Sequence, residues 1–223
     1  MTPPLQQLEW VRPPQQARSA QTLERLLDAA EQLISESGVE ATTVADVARK
    51  AESSVGAFYA RFPDKDALVR CVAERFYHQA VDTVEVVLEP ARWDGHTLRE
   101  VIESAVSFLV QIFHGRRRLI RAVSLRASTD AALSALGERL GEVVSQRLYG
   151  LLVHRGETMT HPRPEQAVRL AVWLVLAAFH ARCMFSDDAP APIPEHTLVS
   201  EITQIAFSYF GIEEGASEHG RQT

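Results

Sequence analysis

The sequence predicts an all-α protein, and three observations support this fold class. Apolar residues recur with helical spacing over most of the chain, and glycine or proline separates the periodic stretches. No stretch combines alternating apolar and polar residues with the turn residues of a hairpin. With 223 residues, of which 46% are hydrophobic, the chain is long enough for one large helical domain or two smaller ones.

Composition and charge narrow the class of protein further. The first nine residues lack a basic segment followed by an apolar run, so we do not expect a secretory signal. The longest apolar run, Leu170 to Phe179, is about half as long as a membrane span and is expected to be a core or interface helix. Cys71 and Cys183 lack CxxC spacing, which fits a reducing cytoplasm. Because the net charge is −6, any contact with nucleic acid has to be local.

The N-terminal segment and the first helix differ in their residue patterns. Residues 1–17 contain four prolines among glutamines and offer no periodic apolar face, so we expect a flexible arm. From Ala20 onward, apolar residues recur at helical spacing until Gly38, where the first helix should end. These positions are Leu23, Leu26, Leu27, Ala30, Leu33 and Ile34.

Three further helices are indicated by capping residues and by a break. Thr43 precedes a short second helix, and its hydroxyl can accept a hydrogen bond from a free amide in the first turn of that helix. Ser54 precedes an equally short third helix, which Pro63 terminates. Asp64 is a natural N-cap for a long fourth helix that extends to Pro90.

The remainder of the chain is predicted to be helical, with a polar tail after Gly211. Glycines and prolines separate its helices. The predicted spans are 97–113, 116–127, 130–154, 164–185 and 195–210. The chain is therefore divided into an arm (1–17), an N-terminal three-helix domain (18–63), a larger helical domain (64–212) and a disordered tail (213–223).

The second and third helices are spaced like a helix-turn-helix, in which the second of two short helices enters the major groove of DNA. About three residues join them, and the third helix ends in aromatic residues. We expect Phe58 and Phe62 to belong to the core. On spacing alone, an ordinary helical hairpin is an equally good interpretation.

The literal sequence favours the DNA-binding interpretation. Three segments closely resemble the DNA-binding signature of the tetracycline-repressor (TetR) family, namely TTVADVA (42–48), SVGAFY (54–59) and FPDKDAL (62–68). The resemblance covers about residues 20–68. It implies a cytoplasmic bacterial repressor that binds double-stranded operator DNA as a homodimer and is released by a small molecule.

The resemblance also implies roles for individual residues. Thr43 caps the second helix and contacts phosphate, residues 54–59 meet base edges and backbone, and Tyr59 and Lys65 reach phosphate. Free amides at a helix N-terminus and a lysine charge both suit phosphate. From the residues alone, Tyr59 could instead be a core aromatic with its hydroxyl at the surface. Arg18, ahead of the first helix, either reaches DNA or lies in a solvated arm.

Two residues depart from the family pattern. Glu52 stands where the family often has glycine, and a positive φ there would cost roughly 1 kcal/mol. Ala57 stands where threonine is frequent, and it offers thymine a methyl contact instead of a hydrogen bond. Gly56 is expected to permit close approach to the second helix or to the DNA backbone. The candidates for base contact are Ser53, Ser54, Val55, Ala57 and Arg61.

By resemblance, the larger domain is expected to bind a ligand and to form the dimer through the last two long helices. Leu170, Leu174 and Ile205 belong to an apolar stripe wider than one internal face requires, although a purely internal core is the alternative. A small apolar ligand is expected among the middle helices. The predicted lining residues, each of which alone fits a core better, are Phe108, Gln111, Ile112, Tyr149, Trp173, Phe179 and His180.

Other functions receive less support. His180 and Cys183 lie three residues apart, but two ligands are too few for a metal site, and no cofactor is expected. The chain lacks the HExxH, GxSxG, GxxxxGK[ST] and GxGxxG motifs, so no enzyme is indicated. The three arginines at 116–118 are expected to form a solvated face. The alternative function is a helical adaptor of the same fold without DNA binding, which Glu52 and Ala57 suggest.

Overall fold

The computed structural model describes residues 17–155, 159–185 and 193–212, and within these ranges the chain forms nine α-helices and one short 3-10 helix. The α-helices are α1 (Ala17–Ala41), α2 (Val44–Lys50), α3 (Val55–Tyr59), α4 (Lys65–Val87), α5 (Leu98–Gly115), α6 (Arg117–Ala127), α7 (Ala131–His154), α8 (Pro164–Phe185) and α9 (Glu195–Phe210). The 3-10 helix is Pro90–Trp93. No strand occurs in the described ranges, and the predicted all-α class is confirmed. The predicted arm, except for Ala17, and the predicted tail lie outside the described residues.

The predicted helix starts agree with the structure because the capping residues are in place. Thr43 and Ser54 have extended backbones, and each side chain accepts a hydrogen bond from the amide three residues on, at 3.1 and 3.0 Å. Asp64 caps α4 in the same way at 2.7 Å. Helix α1 leaves helical geometry at Gly38, where φ is 81°. Glycine adopts this conformation without strain, and the predicted end of the first helix coincides with this break inside α1.

The chain divides into two compact units, and the first contains residues 17–82 and 113–140. This first unit therefore differs from the predicted N-terminal domain of 18–63, because α6 packs against α1. Phe58 and Phe62 are fully buried in its core, as predicted. The core also includes Leu26, Ile34, Val47, Leu68, Val72, Leu119, Val123 and Leu133.

The second unit contains residues 83–112 and the described residues from 141 onward. It comprises the end of α4, most of α5 and α7, and helices α8 and α9, which pack against each other. Leu88, Val101 and Leu151 form a small buried cluster. Trp93 packs on that cluster, and its indole nitrogen donates a hydrogen bond of 2.7 Å to the carbonyl of Val87.

A cluster of charges fastens α1 to α4 in the first unit. The guanidinium of Arg75 on α4 is 3% exposed and lies 3.3, 2.7 and 2.8 Å from carboxylate oxygens of Glu24, Asp28 and Glu31 on α1. Arg116 lies 3.2 Å from the other oxygen of Glu31. The three acids share one face of α1, since they are four and three residues apart. The buried arginine is therefore satisfied by several partners.

Helix α6 is joined by arginines to both α1 and α4. Arg118 donates a hydrogen bond of 2.7 Å to the carbonyl of Glu36, near the end of α1. Arg126, at the other end of α6, lies 2.8 Å from a carboxylate oxygen of Asp66 in the first turn of α4. Arg116 and Arg118 are exposed, as expected of a solvated face, and both also bind α1.

Candidate nucleic-acid interface

Helix α2 begins at a cap that the helix itself reinforces. The hydroxyl of Thr43 accepts a hydrogen bond from the amide of Asp46 and donates one of 2.5 Å to its carboxylate. The hydrogen bond from Thr43 holds the pKa of Asp46 below its usual value, and the charge of Arg49 adds to this effect. Thr43 and Arg49 remain exposed. The start of α2 is thus fixed in position while its surface stays open to solvent.

The turn between α2 and α3 keeps a glycine-like backbone without a glycine. Glu52 has φ of 49°, the one positive φ among non-glycine residues of the described chain. The amide of Ser53 then bonds the carbonyl of Ala48 at 2.8 Å, and the half-buried Ser53 leads into the cap of α3. A left-handed residue other than glycine costs roughly 1–2 kcal/mol. The expected cost at Glu52 is therefore present, and the turn retains its geometry.

Helix α3 has one anchored and one open face. Phe58 is fully buried, with its ring centre 5.2 Å from that of Phe62. Val55 and Tyr59 are 42% and 52% exposed, and the ring of Tyr59 meets Phe58 edge-on. This exposure excludes the alternative that Tyr59 is a core aromatic.

Gly56 lies on the open face of α3. A side-chain carbon built there would meet only the hydroxyl of Ser54, at 3.8 Å, which is ordinary contact. The expected close approach of Gly56 to α2 is therefore wrong. No contact at that position requires the absence of a side chain, and close approach to DNA stays a prediction.

Two cations near α3 are bound to backbone carbonyls. Arg61 is half-buried and donates a hydrogen bond of 2.8 Å to the carbonyl of Ala57. The ammonium of Lys65 donates to the carbonyls of Val39 and Thr42, at 3.0 and 3.2 Å. Lys65 thus holds the segment that leads into α2. Sequence analysis missed this role because the acceptors lie 26 and 23 residues earlier in the chain.

The remaining cations of the helix-turn-helix face acids. Arg49 forms an ion pair with Asp46, and the ammonium of Lys50 lies 3.9 Å from Glu36. Residues 43–66 carry four basic and four acidic residues, so their formal charges cancel. Arg18 lies in α1, but its side chain is outside the described residues.

The predicted ligand-binding residues all lie in the second unit, on α5, α7 and α8. Phe179 is buried. Three of the others are half-buried, namely Phe108, Ile112 and Tyr149. The remaining three are exposed, namely Gln111, Trp173 and His180. Trp173 is 64% exposed, so the structure does not place it in the interior as expected. Although the His180 side chain is exposed, neighbouring atoms partly desolvate its ring and lower its pKa below the usual value.

Other reactive side chains in the described ranges form no obvious centre. No group of three or more histidine, cysteine, aspartate or glutamate side chains there could hold a metal ion. Burial raises the pKa of the Cys71 thiol to about 12, which keeps it protonated and unreactive at neutral pH. Cys183 is also buried.

Comparison with known proteins agrees with the geometry of α2 and α3. Residues 26–72 match the family described as bacterial regulatory proteins, tetR family. The chain is 34% identical over 62 residues to the uncharacterised HTH-type transcriptional regulator YvdT of Bacillus subtilis, covering 28% of this chain and 32% of YvdT. It is 27% identical over 168 residues to the HTH-type transcriptional repressor BepR of Brucella suis, covering 71% of this chain and 79% of BepR. The matched part thus spans about a third of YvdT.

A solved structure extends the similarity in fold beyond these residues. A putative TetR-family transcriptional regulator from Mesorhizobium loti superposes with a TM-score of 0.69 and covers 88% of this chain and 98% of its own. At 18% identity, that match concerns the fold alone. Together with the capped, half-exposed helix α3, these matches show that residues 26–72 form a DNA-binding domain of the tetR family of bacterial regulatory proteins.

Proposed function

We propose that this regulator is a cytoplasmic repressor that binds a near-palindromic operator as a homodimer and is released by a small apolar ligand. The proposal rests first on α3, whose Val55, Gly56 and Tyr59 face solvent while Phe58 anchors the helix in the core. In a helix-turn-helix, the second helix enters the major groove with such an open face. The relative BepR is itself named a repressor.

Contacts to DNA are assigned by side-chain type and exposure. We propose that Thr43 and Tyr59 contact phosphates, and that Lys65 adds its third ammonium hydrogen to them. Gly56 lets the DNA backbone come close, and Arg18 extends the contact beyond the helix-turn-helix. The residues proposed to meet base edges are Ser53, Ser54, Val55 and Ala57, whereas Arg61 is held by the carbonyl of Ala57 and is assigned no base contact.

The exposed apolar face of α8 and α9 supports a dimer of identical chains. Residues 164–184 have a mean hydropathy of 1.5, yet only 22% of the most apolar stretch is buried. Trp173, Leu174 and Ile205 are 64%, 52% and 64% exposed. Helix α8 carries the charged residues Glu165 and Arg169, which argues against a membrane span. A second copy is the partner we propose, because one short recognition helix reads too few bases and a two-fold dimer reads two half-sites.

A ligand site is proposed in the second unit, among Phe108, Ile112, Tyr149 and Phe179. These aromatic and aliphatic side chains are half-buried or buried on α5, α7 and α8. Helix α4 runs without interruption from Lys65 to Val87 and carries residues of both units. A ligand that favours one tilt of this helix would shift operator affinity, typically by about 1–3 kcal/mol of coupling.

Selection of binding sites from random DNA with the purified full-length protein tests the function. We expect a near-palindromic sequence to be enriched, and binding to it to weaken as the salt concentration rises from about 50 to 200 mM. A footprint on the DNA beside the protein's own gene would then connect the selected sequence to regulation. An adaptor without DNA binding would enrich no sequence.

Two matched variants test the assignment of the DNA surface. Tyr59→Glu places a negative charge at a side chain that is 52% exposed on α3, and Val153→Glu does the same at one that is 55% exposed on α7. We expect only Tyr59→Glu to abolish binding, because its carboxylate would face phosphate. Equal DNA affinity of both variants, with folding intact, contradicts the assignment.

A further inference from the structure

The open face of α3 carries no side chain that can form paired hydrogen bonds with a base. Guanine and adenine are usually read in the major groove by arginine, lysine, asparagine or glutamine. Residues 53–60 contain none of these types. Arg61 follows them, but it is half-buried and donates to the carbonyl of Ala57 at 2.8 Å. Direct readout of purines by hydrogen bonds therefore lacks its usual donors.

The neighbouring cations on α2 and α4 do not replace those donors. Arg49 is held in an ion pair by Asp46, and Lys50 lies 3.9 Å from Glu36. Lys65 is held by two backbone carbonyls. Each of these groups has an acceptor within the chain, so base contact would require that interaction to be given up.

Apolar groups occupy the open face instead. Val55 is 42% exposed in the first turn of α3 and is followed by the exposed Gly56 and the half-buried Ala57. Helix propensity does not explain a valine at position 55, because valine is a poor helix former. Core packing does not explain it either, because Val55 is exposed. Gly56 has only the hydroxyl of Ser54 near its missing side chain. Without a side chain at Gly56, the helix could enter the major groove deeply enough for the side-chain methyl groups of its neighbours to contact the bases.

We propose that Val55 and Ala57 read the C5-methyl groups of thymines in the major groove, so that thymines define each operator half-site. The inference rests on the proposed DNA-binding function and specifies the bases that it recognises. Thymine is the one base that presents a methyl group in the major groove. Contact between apolar carbons needs a separation of about 4 Å, which the missing side chain at Gly56 makes possible.

Replacement of thymine by uracil tests this inference, since uracil keeps the pairing and the O4 acceptor but lacks the methyl group. The full-length protein is titrated with the selected operator and with versions that carry uracil at one position in each half-site. We expect at least one position to lose affinity about four-fold per methyl contacted. Replacement of guanine by 7-deazaguanine, which lacks the N7 acceptor, should leave affinity unchanged.

Variants of the helix identify the residues that make the contact. In Val55→Ala or Ala57→Gly, the loss caused by uracil at the matching position should disappear, whereas Tyr59→Phe should retain it. Thermal denaturation verifies that each variant is folded. Full affinity for every uracil operator, or a loss with 7-deazaguanine alone, overturns the inference while the DNA-binding function stands. If no sequence is enriched in the selection, the proposed function itself fails.

Discussion

At the scale of single residues, the ammonium group of Lys65 supports the segment between α1 and α2 from within the protein. It bonds the carbonyls of Val39 and Thr42, next to the Thr43 cap. We predict that Lys65→Met lowers the free energy of unfolding of the DNA-free protein by about 1.5 kcal/mol, since hydrogen bonds from charged donors contribute about 1.5–3 kcal/mol. Denaturant titration of the purified variant measures this change.

Lys50→Met is the matched control for that prediction. The Lys50 ammonium lies 3.9 Å from a carboxylate that is about half exposed, so its loss should change stability by less than about 1 kcal/mol. If Lys65→Met is as stable as the unmodified protein and weakens only DNA binding, Lys65 is a phosphate contact without a supporting role.

Glu52 provides a second prediction at this scale, because its φ of 49° is strained for any residue with a side chain. Glu52→Gly should raise the free energy of unfolding by about 1 kcal/mol, whereas Glu52→Ala removes the same charge and keeps the strain. Differential scanning calorimetry of the two variants isolates the backbone effect. Equal melting temperatures would show that the turn stores no strain.

At the scale of helices, the charge cluster around Arg75 fixes α1 against α4. Removing one partner of a buried ion pair is strongly destabilising because the other charges stay behind. We predict that Arg75→Met lowers the free energy of unfolding by about 3 kcal/mol, near the low end for such losses because Asp28 and Glu24 keep contact with water. Equilibrium denaturation at fixed protein concentration measures it.

The control for this cluster is Arg147→Met in the second unit. Arg147 and Glu85 are 3.0 Å apart, and both side chains are nearly half exposed, so this pair should contribute less than about 1 kcal/mol. Equal losses from Arg75→Met and Arg147→Met would mean that burial does not strengthen the cluster.

Helix positions could be predicted from the sequence because they depend on local signals. Thr43, Ser54 and Asp64 lie at the starts of their helices, and each acts through an amide three residues away. The residues of α3 that could face DNA were likewise predictable from the sequence, because the family signature covers this helix as one contiguous segment. What the sequence could not supply were contacts between distant residues. Arg118 binds a carbonyl 82 residues earlier, and no local pattern encodes such a pair.

At the scale of the whole molecule, the exposed face of α8 should hold two chains together. We predict that Trp173→Glu yields a monomer at micromolar concentration, because it places a charge in a face that would otherwise be buried. Leu125→Glu, at a side chain that is 50% exposed on α6, should remain a dimer. Analytical ultracentrifugation gives both masses. If Trp173→Glu sediments as a dimer, another surface joins the chains.

The matched charges of residues 43–66 govern how the regulator would search a chromosome. A protein with many available cations is retained on any duplex and slides along it, because neutralising phosphate releases counterions whatever the sequence. Here four basic residues are offset by four acidic ones, and each basic side chain has an acceptor or an acidic partner within the protein. This surface would leave non-operator DNA quickly, so the search would proceed mainly by free diffusion between brief encounters. A small number of copies could then occupy the operator without being depleted by the rest of the genome.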